Sequence, residues 1–174
     1  GMHLMGMAMA AQKSWKRALE HLSDALEREP HNPDILSDIG QVYEQIGEPE
    51  KALKALRSAV SLSPRKASLY ERMSSVLSGQ GRYDEARDVI RKAMLLDARR
   101  TDVYHNLLGR VYAREGQWQK AAAENEQARA SNPYVAAYTL DLARALSQLG
   151  RASDAVNELR RALSTLSLSD AETK

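Results

Sequence analysis

This chain contains no cysteine and no phenylalanine, and its positive and negative charges nearly balance. The absence of cysteine excludes disulfide bonds and thiolate metal sites, although it does not assign a compartment. With 25 basic and 23 acidic residues the formal net charge is +2, so nothing in the composition favours nucleic acid or an anionic membrane as a partner. No stretch approaches the roughly 20 apolar residues that span a bilayer. The composition predicts a soluble protein that binds neither.

Residue patterns typical of catalysis and of cofactor binding are missing as well. The four histidines are His3, His21, His31 and His105, and none has the spacing of a metal-binding pair. No glycine-rich phosphate loop or nucleophile elbow occurs. We therefore expect no catalytic residues, no metal and no cofactor, and any catalysis in a longer protein would lie on another domain. The N-terminus lacks a signal-peptide pattern, so we expect a cytoplasmic location unless a targeting segment has been removed.

What the chain does have is a fixed period. Glycine and alanine recur together in steps of 34 residues, with a single step of 35, at Gly47, Gly81, Gly116 and Gly150 and at Ala18, Ala52, Ala86, Ala121 and Ala155. A second series in the same phase comprises Ala25, Ala59, Ala93, Ala128 and Ala162. A period of this size indicates an array of one supersecondary unit, and such arrays mostly present extended binding surfaces.

Each period predicts two helices. Ile35, Ile39 and Val42 follow the spacing of one amphipathic face, and Gly47 then provides a C-terminal cap. Pro49 suits the first turn of a second helix, which Pro64 closes. Signals for β-strands are absent. The predicted class is all-α, built from helical hairpins.

The residues at fixed offsets resemble the tetratricopeptide repeat. One unit carries this pattern at Gly40, Tyr43, Gly47, Ala52, Leu56, Ala59 and Pro64. The resemblance implies a right-handed α-solenoid of about five repeats over residues 1–168, at 1–32, 33–66, 67–101, 102–135 and 136–168, with a polar tail at 169–174. The rival pentatricopeptide family, which reads single-stranded RNA, is disfavoured by the predominant 34-residue step and the terminal proline.

In the tetratricopeptide family the first helices of the repeats line a concave groove. The resemblance places eight candidate partner-binding residues there: Asp38, Gln41, Arg72, Asn106, Arg110, Arg114, Asp141 and Arg144. The arrangement that captures chaperone C-termini is not reproduced, because the corresponding slots hold Ser37, Gln41, Glu71 and Ser75. Four arginines could instead hold a carboxylate or an acidic peptide. The alternative is a solvated charged face that keeps the array soluble.

One second helix departs from the apolar pattern. Asn125 stands at a position where the other repeats have Leu or Ile. Arg129 stands at a position where they have Leu, Val or Met. One hypothesis is a softer joint between the fourth and fifth repeats. The other is that Asn125 finds a local partner while Arg129 lays its stem on the surface.

The ends of the array carry apolar residues, Met2, Leu4, Met5, Met7 and Met9 at one end and Leu163 at the other. Terminal repeats normally need a polar outer face, so self-association through the ends is one expectation. The sequence predicts a non-catalytic scaffold that holds a peptide or helix of a protein partner in the groove. A regulatory or substrate-presenting module of a larger enzyme is the alternative, and an RNA-binding helical repeat is a further one.

Overall fold

In the computed structural model the chain is all-helical over the described residues, 1–172, with side chains described through Ser164. These residues form ten α-helices, one short 3-10 turn and no strand. The helices are α1 Met2–Ala11, α2 Trp15–Arg28, α3 Pro33–Gln45, α4 Pro49–Leu62, α5 Ala67–Gly79, α6 Tyr83–Leu96, α7 Thr101–Arg114, α8 Trp118–Ser131, α9 Ala136–Gln148 and α10 Ala152–Glu172. The predicted fold class is confirmed. The repeat boundaries stay predictions, and the predicted tail at 169–174 includes residues outside the described ones.

The chain divides into two compact units at residue 96. The first unit contains the hairpins α1–α2, α3–α4 and α5–α6, and the second contains α7–α8 and α9–α10. Within each unit, the second helix of one hairpin packs on the first helix of the next, as α2 does on α3 and α8 on α9. Each hairpin therefore buries an apolar stripe that it cannot bury alone.

The alanine series marks these helix contacts. Ala18, Ala52 and Ala121 are fully buried, and so are Ala59 and Ala128, which lie about two turns further along α4 and α8. A methyl-sized side chain lets two helices approach closely, so that the larger residues between the alanines fill the groove. The burial of these alanines is what the interpretation of periodic alanine as helix contact requires.

The turns inside the hairpins require a left-handed residue. Gly47, Gly81, Gly116 and Gly150 have φ between 74° and 79°. At the corresponding turn of the first hairpin the chain has Lys13, which adopts φ 58° although it carries a Cβ. A left-handed conformation costs a non-glycine residue roughly 1–2 kcal/mol, so this turn is strained.

Asn125 is fully buried and satisfied by hydrogen bonds. Its Nδ2 donates to the Ala121 carbonyl at 2.9 Å, and its Oδ1 accepts from Asn106 Nδ2 at 2.8 Å. Asn106 Nδ2 also donates to Asp141 Oδ2 at 3.0 Å, so one polar network joins α7, α8 and α9. Gly109 makes room for it, because a Cβ at that position would lie 2.7 Å from the Asn125 amide. The local-partner hypothesis describes Asn125 correctly.

Arg129 faces an acidic partner on the last helix. Its Nε lies 3.5 Å from Glu158 Oε2, and only about a fifth of each side chain is exposed (19% and 20%). This pair joins α8 to α10, the second helices of the last two hairpins. The softer joint between the fourth and fifth repeats remains a prediction, which hydrogen exchange at that junction tests.

Apolar side chains are exposed on the first and last helices. Leu4 and Met5 of α1 are 73% and 55% exposed, and Val156 and Leu163 of α10 are 45% and 69% exposed. At the position of Val156, the second helix α4 has Leu53, which is fully buried. In its described part, α10 therefore exposes the helix face that is buried in α4.

We expect Lys13→Gly to stabilise the first unit by about 1 kcal/mol, because glycine relieves the left-handed strain. The measurement is thermal or urea unfolding followed by circular dichroism. Lys13→Ala is the matched control, since it removes the side chain but keeps the Cβ. A Lys13→Ala variant as stable as Lys13→Gly would show that the lysine side chain, and not the backbone, sets the effect.

We expect Asn125→Ala to destabilise the second unit by about 1–3 kcal/mol, because it removes the acceptor of a buried amide. A double-mutant cycle with Asn106→Ala should give a coupling energy of about 1 kcal/mol, as is usual for residues in direct contact. Urea unfolding of the four proteins provides the measurement. If the losses in unfolding free energy of the two single variants simply added up in the double variant, the result would contradict the network.

Candidate functional site

The second unit contains an arginine-lined cavity between the first helices of its two hairpins. We call it the Trp118 cavity. Its volume is about 260 Å³, and it is lined by Arg110, Ala113, Arg114, Trp118, Asn125, Asp141 and Arg144. Four of the five residues that the sequence predicted in this unit therefore line one space.

Helix geometry brings the arginines together. Arg110 and Arg114 lie four residues apart on α7, which places them on the same face one turn apart. Arg144 comes from α9, which contacts α7 directly. Trp118 is the first residue of α8 and packs against the core of this unit. The cavity is thus built on helices, and its aromatic wall is fixed by packing.

Asp141 is held in place at the inner side of the cavity. Its Oδ2 accepts from Asn106 Nδ2 at 3.0 Å, and its Oδ1 lies 3.8 Å from Arg144 Nη1. Asn106 is itself buried, at 8% exposure, so it positions Asp141 and offers little surface to a partner. Sequence reasoning placed Asn106 among the contact residues, and the structure places it beneath them.

The cavity keeps an excess of positive charge. Three arginines face one aspartate in its lining. Arg110 is exposed and makes none of the hydrogen bonds or ion pairs found among the described residues, and the Arg144 side chain is 72% exposed. Guanidinium groups bind carboxylates and phosphates through paired hydrogen bonds. The arrangement can therefore bind an anionic group beside an indole ring.

The predicted residues of the first unit form a separate cluster. Arg72 of α5 donates to Gln41 Oε1 at 2.6 Å and lies 3.5 Å from Asp38 Oδ1. Asp38 Oδ2 also lies 2.7 Å from His3 Nε2 of α1. Arg72 is thus engaged by α3, whereas the sequence placed it in one row with the exposed arginines.

Asp38 and Gln41 line a second cavity, which we call the Trp15 cavity. Its volume is about 360 Å³, and its lining is Met7, Ala10, Ala11, Trp15, Asp38, Gln41, Val42 and Gln45. Sequence reasoning missed both tryptophans as cavity walls. The signal was present, since Trp15 and Trp118 are the chain's only tryptophans and both begin the second helix of a hairpin.

Among the residues that the structure describes, no group of three or more His, Asp or Glu side chains is arranged to hold a metal ion. No described helix has both the length and the apolar character needed to cross a bilayer.

The fold is similar to several solved structures. MamA matches with a TM-score of 0.74 and 23% identity over 96% of each chain. MamA 41-end from Desulfovibrio magneticus RS-1 has a TM-score of 0.76 and 19% identity, over 97% of this chain and 94% of that one. PilW, a widely conserved type IV pilus biogenesis factor, has a TM-score of 0.79 and 22% identity, over 94% of this chain and 76% of that one. Identities this low show similarity of fold alone.

Sequence comparison gives the family. No curated relative matches the chain. Profiles of the tetratricopeptide repeat match residues 9–67 and, in two overlapping segments, residues 72–136 and 106–168. These matches cover most of the sequence and agree with the periodic alanines, the left-handed glycine turns and the stacked hairpins. The chain belongs to the tetratricopeptide-repeat family.

Proposed function

We propose that this chain is a non-catalytic protein-interaction scaffold whose second unit binds an acidic segment of a partner protein. Tetratricopeptide-repeat proteins bind protein partners and are generally not enzymes. The observation that supports an acidic partner is the Trp118 cavity, where Arg110, Arg114 and Arg144 surround one space. Asp141 adds specificity, because a bound carboxylate must approach the arginines and avoid this fixed negative charge.

The geometry favours a side chain or terminus of a peptide over a large ligand. A cavity of about 260 Å³ lies below the roughly 300–1,000 Å³ of most small-molecule sites. Trp118 offers an apolar wall next to the charged groups, so a residue beside the acidic one can pack on the indole ring. A partner segment with alternating acidic and apolar residues fits this arrangement.

The alternatives from the sequence make different predictions. A regulatory or substrate-presenting module would use the same cavity but would be joined to a catalytic domain in a longer protein. An RNA-binding repeat would lose affinity steeply with salt, because each phosphate contact releases counterions. Self-association through Leu4 and Met5 of α1 or Leu163 of α10 also remains a proposal, and sedimentation at several protein concentrations tests it.

We expect the double variant Arg110→Glu/Arg144→Glu to weaken binding of an acidic peptide by at least about tenfold, because charge-assisted hydrogen bonds contribute roughly 1.5–3 kcal/mol each. The probe is a short peptide of alternating glutamate and alanine, compared with one that has glutamine for glutamate. Trp15→Phe is included in every protein so that the fluorescence reports Trp118 alone.

The matched control is Arg99→Glu/Arg160→Glu, which makes the same charge change on two exposed arginines of this unit outside the cavity. If both double variants weakened binding of the glutamate peptide equally, net charge alone would explain the effect, and the proposed site would be wrong. Equal binding of the glutamate and glutamine peptides would overturn the acidic partner.

A further inference from the structure

The Trp15 and Trp118 cavities are the same site in two different repeats. Trp15 and Trp118 are separated by 103 residues, which is the three-repeat spacing that also separates Ala18 from Ala121. Each tryptophan is the first residue of the second helix of its hairpin. The same step relates Ala10 and Asp38 of one cavity to Ala113 and Asp141 of the other.

The supports of the two aspartates are equivalent as well. Asp38 lies 2.7 Å from His3, and Asp141 accepts from Asn106 at 3.0 Å. His3 and Asn106 are again three repeats apart. In both cavities a side chain on the first helix of one hairpin therefore fixes an aspartate on the first helix of the next.

What differs is the charge of the lining. The positions of the three arginines in the Trp118 cavity are occupied in the Trp15 cavity by Met7, Ala11 and Gln41. Asp38 is then the one charged residue in the lining of the Trp15 cavity, and most of the remaining wall is apolar. The lining of the Trp118 cavity thus has three arginines and one aspartate, whereas the lining of the Trp15 cavity has one aspartate and no basic residue.

We propose that the Trp15 cavity binds the side chain of a lysine or arginine from a partner polypeptide. This proposal rests on the proposed function only in assuming that the chain binds polypeptide partners. The methylene stem packs on Met7, Trp15 and Val42, which are apolar walls of the cavity. The charged head meets the Asp38 carboxylate, and the indole ring adds a cation–π contact.

The charge around the cavity suits a cation even though Arg72 is nearby. Arg72 lies 3.5 Å from Asp38 and donates to Gln41, which shows that these two side chains accept a guanidinium group. A carboxylate has about four acceptor positions, so His3 and Arg72 do not exhaust it. Helix α3 also carries Asp34 and Glu44, of which Asp34 is ion-paired with Lys66 and Glu44 accepts from Ser75 Oγ at 2.8 Å. Within the lining, a bound acidic side chain would meet the Asp38 carboxylate and no lysine or arginine, so the cavity favours a positive head group.

The test uses Trp118→Phe protein, in which Trp15 is the single indole. The probe is a short peptide of alternating lysine and serine, and its control has acetyl-lysine, which keeps the stem and removes the charge. We expect a saturable change in Trp15 emission, with the acetylated peptide about tenfold weaker. Asp38→Asn should weaken the lysine peptide about tenfold and leave the acetylated peptide unchanged.

A specificity exchange provides a second test that does not depend on losing a buried contact. Met7→Arg/Ala11→Arg gives the Trp15 cavity two of the three arginines of its counterpart. We expect this variant to lose the lysine peptide and to gain binding of the alternating glutamate and alanine peptide. Unfolding curves confirm that each variant keeps its structure.

Three results would overturn the inference: no saturable change in Trp15 emission, equal affinity for the lysine and acetyl-lysine peptides, or an exchange variant with unaltered preference. Failure here leaves the acidic site intact, because that site is read from Trp118 in a separate protein. Conversely, a lysine response at Trp15 without a glutamate response at Trp118 would retain this inference and remove the acidic site.

Discussion

The structure depends on the close approach of the two helices of each hairpin. A Cβ at Gly6 would lie 2.7 Å from Leu22 Cγ, and one at Gly40 would lie 3.0 Å from Leu56 Cγ. In these two hairpins, and at Gly109 opposite Asn125 in the fourth, the first helix offers a residue without a side chain, whereas the third and fifth hairpins have the small residues Ser74 and Ala143 at the same repeat position. Because glycine, serine or alanine recurs at this position in step with the buried alanines, the two helices of each hairpin can pack closely and present a stripe for the next hairpin.

The same constraint explains how a polar residue is tolerated in the core. Gly109 faces Asn125 as Gly6 faces Leu22, so the asparagine occupies a leucine site of fixed size. Its amide finds the Ala121 carbonyl in its own helix and Asn106 in the facing helix. Burial without these partners would cost several kcal/mol, whereas a satisfied pair is compatible with a well-packed core. The network that replaces the leucine also positions Asp141, so a change inside the core reaches the surface of the Trp118 cavity.

Much of the fold could be predicted from the sequence because packing imposes the period. The bounds expected around Ile35, Gly47, Pro49 and Pro64 agree with α3 and α4, since caps and prolines act locally. The site could be predicted less well. The pattern shows that Asn106 and Arg72 lie on the first helices, but it does not show that Asn106 is buried or that Arg72 is engaged by α3. Those properties depend on side-chain contacts between residues 19 to 35 positions apart, which no single-helix pattern contains.

Packing and the charge of the cavity lining depend on different residues of the same helix, so equivalent cavities can differ in charge while the hairpins stay alike. Arg110 and Arg114 are exposed. Of their equivalents in the Trp15 cavity, Met7 is half-buried and Ala11 is exposed. Exchanges at such positions usually change stability by less than about 0.5 kcal/mol. Trp15, Trp118 and the paired aspartates, by contrast, are held by core contacts or by hydrogen bonds and keep the shape of the cavity constant. The charge of the lining can therefore change at one repeat without a change in the hairpin that presents it. A repeat array allows such local changes, because each of the two cavities is lined by residues of its own pair of hairpins.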